Sequence, residues 1–374
     1  MKGLKKFVVL SLVSVAIVMC HSGLPDDSGR EGQEALFYYL AEAAEPLFKP
    51  LLLWVNGGPG VSSLGYGAME ELGPFRLNSD GTTLCSNIHA WNKEIWEFLS
   101  FSTYDVCSGD VLFLESPAGV GFSYSNTTYD YDHNGGESST SDAYTFLINW
   151  FDRFPEYKNK DFYISGESYR GYYAPQMAYQ VLMHNQLTIE TIINLKGIAT
   201  FDAINKYCQS SPNSTENQQQ CDVGLNVLQK VYDDIYTYNI YGPNCNFNGF
   251  TEPQFDPPCT DLYVENYLNL PEDQKAFHAK ITRLPYPWSI HMFFRDWSDR
   301  PTTVLPLIQD VMAHGIRVNK FELLNLRLQK IYSKIYVGVY SVIYRDGLTF
   351  ATVRGAGHLV PSYQPERSPP PALQ

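Results

Sequence analysis

Apolar residues in this chain form short uninterrupted runs, and segments with helical spacing lie between them. The clearest runs cover residues 51–55, 111–114, 162–164 and 348–353. Uninterrupted runs of this length are typical of strands that are covered on both faces, so they predict a mostly parallel sheet. Helical spacing recurs around 141–151 and 175–184. The alternation predicts an α/β domain with a mostly parallel central sheet and helices on both faces.

The first 22 residues have the pattern of a secretory signal peptide. Three lysines precede an apolar run over 7–19, and small residues follow it. The run is shorter than the roughly 20 residues that a membrane-spanning helix needs, and a signal anchor is the alternative. We expect removal of residues 1–22, a domain over 23–374, and a secreted or vacuolar protein. Sequons at Asn126 and Asn213 predict glycans on exposed loops.

The charge balance argues against two classes of partner. The formal net charge is −13, which disfavours binding to nucleic acid or to an anionic membrane. A hydrophobic fraction of 44% with 18% charged residues is that of a folded globular chain and not of a disordered one. We therefore expect no nucleic-acid or membrane partner. The oligomeric state is not predicted by the sequence.

A polar segment over about 201–285 interrupts the α/β pattern and is predicted to be an insertion. It contains Cys208, Cys221, Cys245 and Cys259. Because a secretory compartment permits disulfides, we expect the short-loop bridges Cys208–Cys221 and Cys245–Cys259, although four cysteines allow three connectivities. No Cys-x-x-Cys pair or histidine cluster indicates zinc. We expect neither a metal nor a cofactor.

The tetrapeptide Gly166-Glu167-Ser168-Tyr169 lies between a predicted strand and a predicted helix. A serine at a sharp strand-to-helix turn is how an α/β-hydrolase exposes its nucleophile. Gly-x-Ser is common by chance, and it is the context that favours a functional reading. Arg170 departs from the pattern, because a small residue normally stands two positions after the serine. We expect its bulky side chain to force the turn open.

Two glycine-containing loops follow predicted strands. Residues 56–60, Asn-Gly-Gly-Pro-Gly, leave N–H groups exposed for an oxyanion, and a plain tight turn is the alternative. Residues 354–358 end in His358, which the glycines allow to project as a general base, with an ordinary loop histidine as the alternative. Their order around Ser168 is that of α/β-hydrolases. This order favours a serine hydrolase over a structural protein.

Together these motifs resemble those of plant serine carboxypeptidase-like proteins. The resemblance is carried by Trp-Val-Asn-Gly-Gly-Pro-Gly at 54–60, Gly-Ala-Met-Glu-Glu-Leu-Gly-Pro-Phe at 67–75, Leu-Glu-Ser-Pro-Ala-Gly-Val-Gly-Phe-Ser-Tyr at 114–124, Gly-Glu-Ser-Tyr at 166–169 and Val-Arg-Gly-Ala-Gly-His at 353–358. It covers most of the chain between about 35 and 367. It implies an α/β-hydrolase fold and release of C-terminal residues from peptides at acidic pH.

The resemblance also implies the catalytic roles. Ser168 is expected to be the nucleophile that becomes acylated, and His358 is expected to be its base. The backbone N–H groups of Gly58 and Tyr169 are expected to form the oxyanion hole.

A second group is expected to bind the substrate's C-terminal carboxylate, namely Asn56, the backbone of Gly57, Glu71 and Glu167. A carboxyl group donates to a carboxylate only while it is protonated, and two neighbouring glutamates share a proton, so the pair suits an acidic compartment. Some relatives transfer acyl groups from glucose esters, and in those the asparagine is typically replaced. Retention of Asn56 therefore favours the peptidase branch.

The chain departs from the family in several places. Val61 and the pair Ile290-His291 stand where relatives have two cysteines that form a disulfide, so both halves of that bridge are replaced. The first strands of the family, before residue 35, are expected to be missing.

The largest departure follows residues 315–318. Relatives continue there into a strand and a Gly-Asp-x-Asp-Gly loop that carries the triad aspartate, whereas this chain has an unrelated stretch up to about 340. Asp310 and Asp346 do not stand in the expected context. We expect the strand and the aspartate to be lost together, and the carboxypeptidase activity to be impaired. A non-catalytic binding protein and a glucose-ester acyltransferase remain the alternatives.

Overall fold

The computed structural model describes fifteen stretches of the chain, and the predicted sites Cys208, Cys221 and Asn213 lie outside them, as does Asp346. The described residues are 13–20, 34–44, 46, 49–93, 109–188, 193–202, 238–239, 241–251, 259–279, 286–294, 297–299, 301, 303–322, 339–343 and 348–367.

Most of the strands belong to one sheet. The strands in chain order are β1 (Val13–Cys20), β2 (Glu34–Ala41), β3 (Leu51–Val55), β4 (Phe75–Leu77), β5 (Leu84–Ser86), β6 (Asp110–Leu114), β7 (Tyr124–Ser125), β8 (Phe162–Glu167), β9 (Leu195–Asp202), β10 (Arg317–Glu322), β11 (Val339–Ile343) and β12 (Leu348–Val353). The main sheet has the order β1-β2-β6-β3-β8-β9-β10-β12-β11, and β7 pairs with β2. Strands β4 and β5 form a separate antiparallel pair.

The centre of the main sheet is parallel and its two margins are antiparallel. Every neighbouring pair from β6 through β3, β8, β9 and β10 to β12 is parallel. The outer pairs β1–β2, β2–β6 and β11–β12 are antiparallel. Because parallel strands end at the same edge, the segments that follow β3, β8 and β12 meet at one edge of the sheet.

Helices cover both faces of this sheet. They are α1 (Tyr129–Asp132), α2 (Gly136–Arg153), α3 (Arg170–Leu187), α4 (Thr260–Leu268), α5 (Pro271–Ala276), α6 (Leu305–Ala313) and α7 (Val360–Tyr363), with a π-helical segment Ser63–Glu71 and single 3-10 turns Pro155–Tyr157 and Pro365–Arg367. Along β3, Leu52 and Trp54 pack into the core beneath the π-helical segment and α4. Leu51 and Leu53 face the opposite core, beneath α2 and α3. This alternation explains the uninterrupted apolar run of β3, since both faces of the strand are buried.

The four predicted strands and both predicted helices are confirmed, and most of them are longer than the sequence pattern indicated. Residues 51–55 and 348–353 match β3 and β12 residue for residue, whereas β8 continues past the apolar run to Glu167. Helix α3 begins at Arg170, ahead of the segment with helical spacing. A pattern of apolar positions detects the buried middle of an element, and its ends lie beyond that pattern.

A strand precedes residue 35, so the expectation that the first strands are all missing was wrong. Strand β1 pairs with β2 over eight residues, from Val13 opposite Ala41 to Cys20 opposite Glu34. It lies at the edge of the sheet and overlaps the predicted signal peptide. The same apolar residues suit a leader and a β-strand, since both require a short apolar run. Removal of residues 1–22 stays a prediction.

The strand expected to be lost near residue 318 is present. Strand β10 (Arg317–Glu322) lies between β9 and β12, and it is parallel to both. The expectation of a lost strand was wrong because the backbone of these residues pairs with β9 on one side and with β12 on the other, although their side chains do not follow an apolar pattern. Residues 323–338, which follow β10, lie outside the described residues.

The predicted bridge Cys245–Cys259 is present and joins a loop to the start of α4. Within the predicted insertion it ties the loop around Cys245 to a helix that packs on the main core. Among the described residues, no helix combines the length and the apolar character that a membrane crossing requires.

Candidate active site

Ser168 lies at a sharp turn between β8 and α3. Its backbone φ is +56°, in the left-handed region that non-glycine residues rarely adopt. The preceding Gly166 allows this turn, because a Cβ atom there would lie 2.6 Å from Cβ of Arg170. The strained serine and the close packing behind it are the features of a nucleophile elbow.

Arg170 does not open the turn, contrary to the expectation from its size. The side chain is buried, and its Nε donates a 2.7 Å hydrogen bond to the carbonyl oxygen of Asn56. Its Nη2 donates to the carbonyl oxygen of Ser116, and the guanidinium lies 3.9 Å from the ring centroid of Tyr173. The arginine is folded away beneath the elbow and connects three segments. Burial lowers the pKa of Arg170.

The glycine-rich loop after β3 packs directly against the elbow. A Cβ atom at Gly57 would lie 2.6 Å from the carbonyl oxygen of Glu167 and 2.7 Å from the backbone nitrogen of Tyr169. Gly58 has a φ of +106°, and no hydrogen bond of its N–H is made to the described residues. The absence of a side chain at Gly57 thus lets the glycine-rich loop lie directly against the backbone of Glu167 and Tyr169, on either side of Ser168.

Asn56, Glu71 and Glu167 form a buried polar group at the end of β3. The Asn56 Nδ2 donates to Oε1 of Glu71 at 2.7 Å and to Oε2 of Glu167 at 3.0 Å. The amide is fixed from its other end, because Nε1 of Trp54 donates to its Oδ1 at 2.7 Å. Each carboxyl group keeps one buried oxygen without a hydrogen bond, Oε2 of Glu71 and Oε1 of Glu167.

Burial keeps this carboxyl pair partly protonated. It raises the pKa of Glu71 to about 7, against a smaller opposing effect of the Asn56 hydrogen bond. Burial also raises the pKa of Glu167 well above its ordinary value, and the negative charge of Glu71 raises it further. At mildly acidic pH the pair therefore carries protons that its two unpaired oxygens can donate.

His358 follows β12 and faces the same group. Its Nε2 lies 4.0 Å from Oε1 of Glu167, and its side chain is 20% exposed. The backbone N–H of His358 donates to the carbonyl oxygen of Tyr238 at 2.6 Å, and the two rings pack edge to face with centroids 5.0 Å apart. A Cβ atom at Gly357 would lie 2.4 Å from that same carbonyl, which explains the glycine before the histidine.

The described residues provide His358 with no acid of the kind a triad needs. Apart from Glu167, no described carboxylate lies within 4.0 Å of its imidazole, and no hydrogen bond joins it to Ser168 in this structure. Burial lowers the pKa of His358. Asp310 is exposed on α6, and Asp346 lies outside the described residues.

The sequence interpretation missed a second polar cluster, around Tyr66 of the π-helical segment. The hydroxyl of Tyr66 donates to Oδ2 of Asp261 at 3.1 Å and lies 3.2 Å from Nε2 of His291. Its ring packs 6.0 Å from that of Tyr238, next to His358. These residues are distant in the sequence and belong to no shared motif, so only the fold brings them together.

His291 also pairs with Val61, the other position at which the chain departs from the family's disulfide. The two residues form an isolated antiparallel bridge. On either side, Ser62 N–H donates to the Ile290 carbonyl at 2.9 Å and Met292 N–H donates to the Gly60 carbonyl at 2.8 Å. The two positions are thus adjacent without a covalent bond.

Comparison with known proteins agrees with this geometry. The model of the serine carboxypeptidase family, Peptidase_S10, matches residues 18–204 and 199–322. The chain belongs to the serine carboxypeptidase family. Serine carboxypeptidase-like 40 of Arabidopsis thaliana is 41% identical, over 89% of this chain and 75% of its own. Serine carboxypeptidase 24 of the same plant is 36% identical, over 89% of this chain and 84% of its own.

A solved structure shares the fold of this serine carboxypeptidase family member. Kex1 of Saccharomyces cerevisiae, described as a prohormone-processing carboxypeptidase, superposes with a TM-score of 0.64 at 20% identity, over 94% of this chain and 88% of that one. The chain therefore has the α/β-hydrolase fold of the serine carboxypeptidases, as predicted. Among the described residues, no group of three or more metal-ligating side chains is present.

Proposed function

We propose that this chain binds peptides through their free C-terminal carboxylate and hydrolyses the last peptide bond slowly, by acyl transfer to Ser168. The observation that carries the proposal is the buried Asn56–Glu71–Glu167 group, with its two unpaired carboxyl oxygens close to the elbow. A buried polar oxygen without a partner is unfavourable, so a ligand that completes these hydrogen bonds gains affinity. A substrate carboxylate accepts from the protonated glutamates, which the two N–H bonds of the Asn56 amide hold in place.

The elbow supplies the rest of an acyl-transfer site. Ser168 attacks the scissile carbonyl carbon, and its hydroxyl proton passes to His358. The developing oxyanion accepts from the N–H groups of Gly58 and Tyr169, and the close packing of Gly57 on the backbone of Tyr169 supports this assignment. The C-terminal residue leaves with the proton from His358, and water then hydrolyses the ester at Ser168.

Slow turnover follows from the environment of His358. Its pKa is lowered by burial, and no described aspartate or glutamate stabilises the imidazolium that forms during acylation. Loss of the triad acid reduces kcat by about 10⁴-fold in well-studied triads. That factor corresponds to roughly 5.5 kcal/mol of activation free energy.

A non-catalytic binding protein is the second candidate, because the described residues include the proposed carboxylate-binding group and no acid beside His358 of the kind a triad needs. Both candidates predict binding of peptide carboxylates, and only the first predicts turnover at Ser168. A glucose-ester acyltransferase requires a different acyl donor, and the retained Asn56 with its two glutamate partners favours the carboxylate ligand.

The deciding experiment compares three substrates with the purified protein at acidic pH. We expect slow release of the last residue from an N-blocked dipeptide acid, and much slower release from its C-terminal amide. Binding of the acid without any turnover would establish the second candidate. Acyl transfer from a glucose ester to an alcohol, with no peptide hydrolysis, would establish the third.

We further propose that the protein enters the secretory pathway and is glycosylated there. The disulfide Cys245–Cys259 and the exposed side chain of Asn126 are compatible with that compartment. Acidic secretory compartments would also keep the Glu71–Glu167 pair protonated.

A further inference from the structure

A free cysteine lies beside a buried arginine on the antiparallel strand pair β4–β5. Cys85 of β5 is half-buried, and its thiol is free. It stands directly opposite Arg76 of β4. Residues that face each other across two antiparallel strands have their side chains on the same side, with Cβ atoms about 5 Å apart. The thiol and the guanidinium are therefore close neighbours, and the charge of Cys85 contributes to the electrostatic environment of Arg76.

Arg76 has a hydrogen-bond donor that no described group accepts. Its side chain is 7% exposed, and its Nη2 donates to the carbonyl oxygen of Glu71. Its Nη1 is buried and has no partner within the described residues. A buried donor without an acceptor is unfavourable, so an anionic group that reaches Nη1 is stabilised there. The thiolate of Cys85 is an acceptor of this kind.

The positive charge of Arg76 is only partly offset by its acidic neighbours. Burial lowers the pKa of Arg76 to about 10, so the guanidinium stays charged at neutral and acidic pH. Burial also raises the pKa of Glu70 and of Glu71, the two acids whose charges act on it, so both are largely protonated at mildly acidic pH. Lys93 adds a second positive charge that acts on Arg76, and its Nζ donates to the Ser86 hydroxyl of β5 at 2.6 Å. The surroundings of the β5 thiol are therefore electropositive.

We propose that Cys85 is a modification site that forms mixed disulfides with acidic small thiols such as glutathione, and that Arg76 and Lys93 select the anionic disulfide as the co-reactant. The Cys85 thiol gives up its proton, and its Sγ attacks one sulfur of glutathione disulfide. A bond forms between these two sulfurs, the S–S bond of glutathione disulfide breaks, and the departing glutathione thiolate takes up a proton. One disulfide is exchanged for another, so no further oxidant is required. The two cations favour the attacking thiolate and attract the carboxylates of its partner.

The test compares glutathione disulfide with cystamine, a small cationic disulfide, on the folded full-length protein. Mass spectrometry of the peptide that contains Cys85 follows the modification. Each rate is divided by the rate of the same disulfide with the urea-unfolded protein, so that only the folded surroundings of the thiol are compared. We expect the normalised rate to be about 10-fold higher for glutathione disulfide, because attraction to two cations replaces repulsion. A higher salt concentration should reduce this ratio.

Variants at the two cations locate the selectivity. Arg76→Met removes the charge opposite the thiol and is expected to bring most of the ratio down toward 1. Lys93→Met is expected to reduce the ratio in part, whereas Arg153→Met, at an exposed cation of α2, should leave it unchanged. If Arg76→Met does not fold, the comparison of Lys93→Met with Arg153→Met and the salt dependence of the wild type still decide.

The proposal is overturned if Cys85 of the folded protein is not modified, or if it is already bonded to another cysteine of the chain. It is also overturned if the normalised rates of the two disulfides are equal, or if a folded Arg76→Met variant keeps the full ratio. These outcomes are independent of peptide turnover, so they test the modification site separately from the proposed carboxypeptidase function.

Discussion

The imidazole Nε2 of His358 lies 4.0 Å from Oε1 of Glu167, one of the two carboxyl oxygens that the buried polar group leaves unpaired. The base of the proposed reaction and the proposed carboxylate-binding group are therefore direct neighbours. A peptide held by its last carboxylate at Glu167 would present its last peptide bond to His358 and Ser168. The contact between His358 and Glu167 thus connects the proposed binding of the peptide carboxylate with the proposed cleavage of the last peptide bond.

Asn56 is expected to control discrimination between a C-terminal carboxylate and a C-terminal amide. Asn56→Leu keeps the branched shape of the side chain and removes both donated hydrogen bonds. A buried hydrogen bond to a charged group contributes about 1–3 kcal/mol. The ratio of kcat/KM for the dipeptide acid over the amide should therefore fall by roughly 5- to 150-fold. Asn78→Leu, in the loop near Thr83, serves as the control. An unchanged ratio in Asn56→Leu would show that another group reads the carboxylate.

Binding of a peptide carboxylate is expected to weaken as the pH rises. The pKa of Glu71 is raised to about 7 by burial, so the pair holds its proton below that pH and gains negative charge above it. Affinity for an N-blocked dipeptide acid, measured by calorimetry on Ser168→Ala, should be highest below pH about 7 and fall above it. Glu71→Gln should make the profile flatter. The dipeptide amide is the matched ligand, and a parallel fall for it would contradict the protonation argument.

Ser168 is expected to react slowly with a fluorophosphonate. The rate should lie about 10⁴-fold below that of a serine carboxypeptidase with a complete triad, because no described acid supports His358. Mass spectrometry should place the small amount of label on Ser168, and Ser168→Ala should remove it.

Rapid stoichiometric labelling of Ser168 would show instead that another acid has taken the aspartate's role. Glu322 would then be the first residue to test, because it ends β10 opposite Thr352 of β12, at the sheet edge from which His358 follows. Its order in the chain, between the serine and the histidine, is that of an α/β-hydrolase acid. Glu322→Gln would slow the labelling in that case and would have little effect otherwise.

The free energy of unfolding is expected to decrease as the pH rises from about 4.5 to about 8. Burial raises the pKa of Glu115 to about 7 and that of Glu34 to about 9. Each group binds its proton more tightly in the folded than in the unfolded chain, so its favourable contribution is present at low pH and is lost as the pH rises toward the folded pKa. Thermal unfolding across this range measures the effect. Glu115→Gln should reduce the decrease of the unfolding midpoint with pH, whereas the same substitution at the exposed Glu156 should leave it unchanged. A midpoint that rises with pH would contradict the prediction.

Expression in a eukaryotic secretory system is expected to yield a glycosylated protein. The side chain of Asn126 is exposed and directly follows β7. Treatment with a glycosidase that removes N-linked glycans should increase electrophoretic mobility, and Asn126→Gln should remove part of that shift, with Asn213 responsible for the remainder. A cytosolic protein with all its thiols free would falsify both the glycan and the leader assignments.

Much of this fold follows from patterns within short stretches. The four apolar runs predict four strands of the parallel centre, because a strand buried on both faces needs apolar residues at consecutive positions. The elbow is predictable for a similar reason, since Gly166 and Ser168 are neighbours in the sequence. Strand β10 escaped prediction because Asn319 and Lys320 interrupt its apolar pattern, and its place is decided by its pairing with β9 and β12.

Contacts between distant segments are less accessible to such patterns. Arg170 is the clearest example, since a large cation at an elbow indicates a clash until the carbonyls of Asn56 and Ser116 are known to lie within its reach. Tyr66 is likewise separated from Asp261 by 195 positions and from His291 by 225 positions along the chain. Local propensity carries no information on such pairs, because they depend on tertiary packing.

The bridge between Val61 and His291 attaches the segment around His291 to the glycine-rich loop through hydrogen bonds alone, so reduction does not break it as it would break a disulfide. Its hydrogen bonds, from Ser62 to Ile290 and from Met292 to Gly60, contain no bond that a thiol can cleave. A reductant should therefore release the loop that Cys245–Cys259 anchors and leave the segment around His291 docked beside the glycine-rich loop. A mild denaturant should instead release the segment around His291 and leave the disulfide Cys245–Cys259 intact. The disulfide Cys245–Cys259 is therefore sensitive to the redox state of the compartment, whereas the Val61–His291 bridge is sensitive to temperature and solvent.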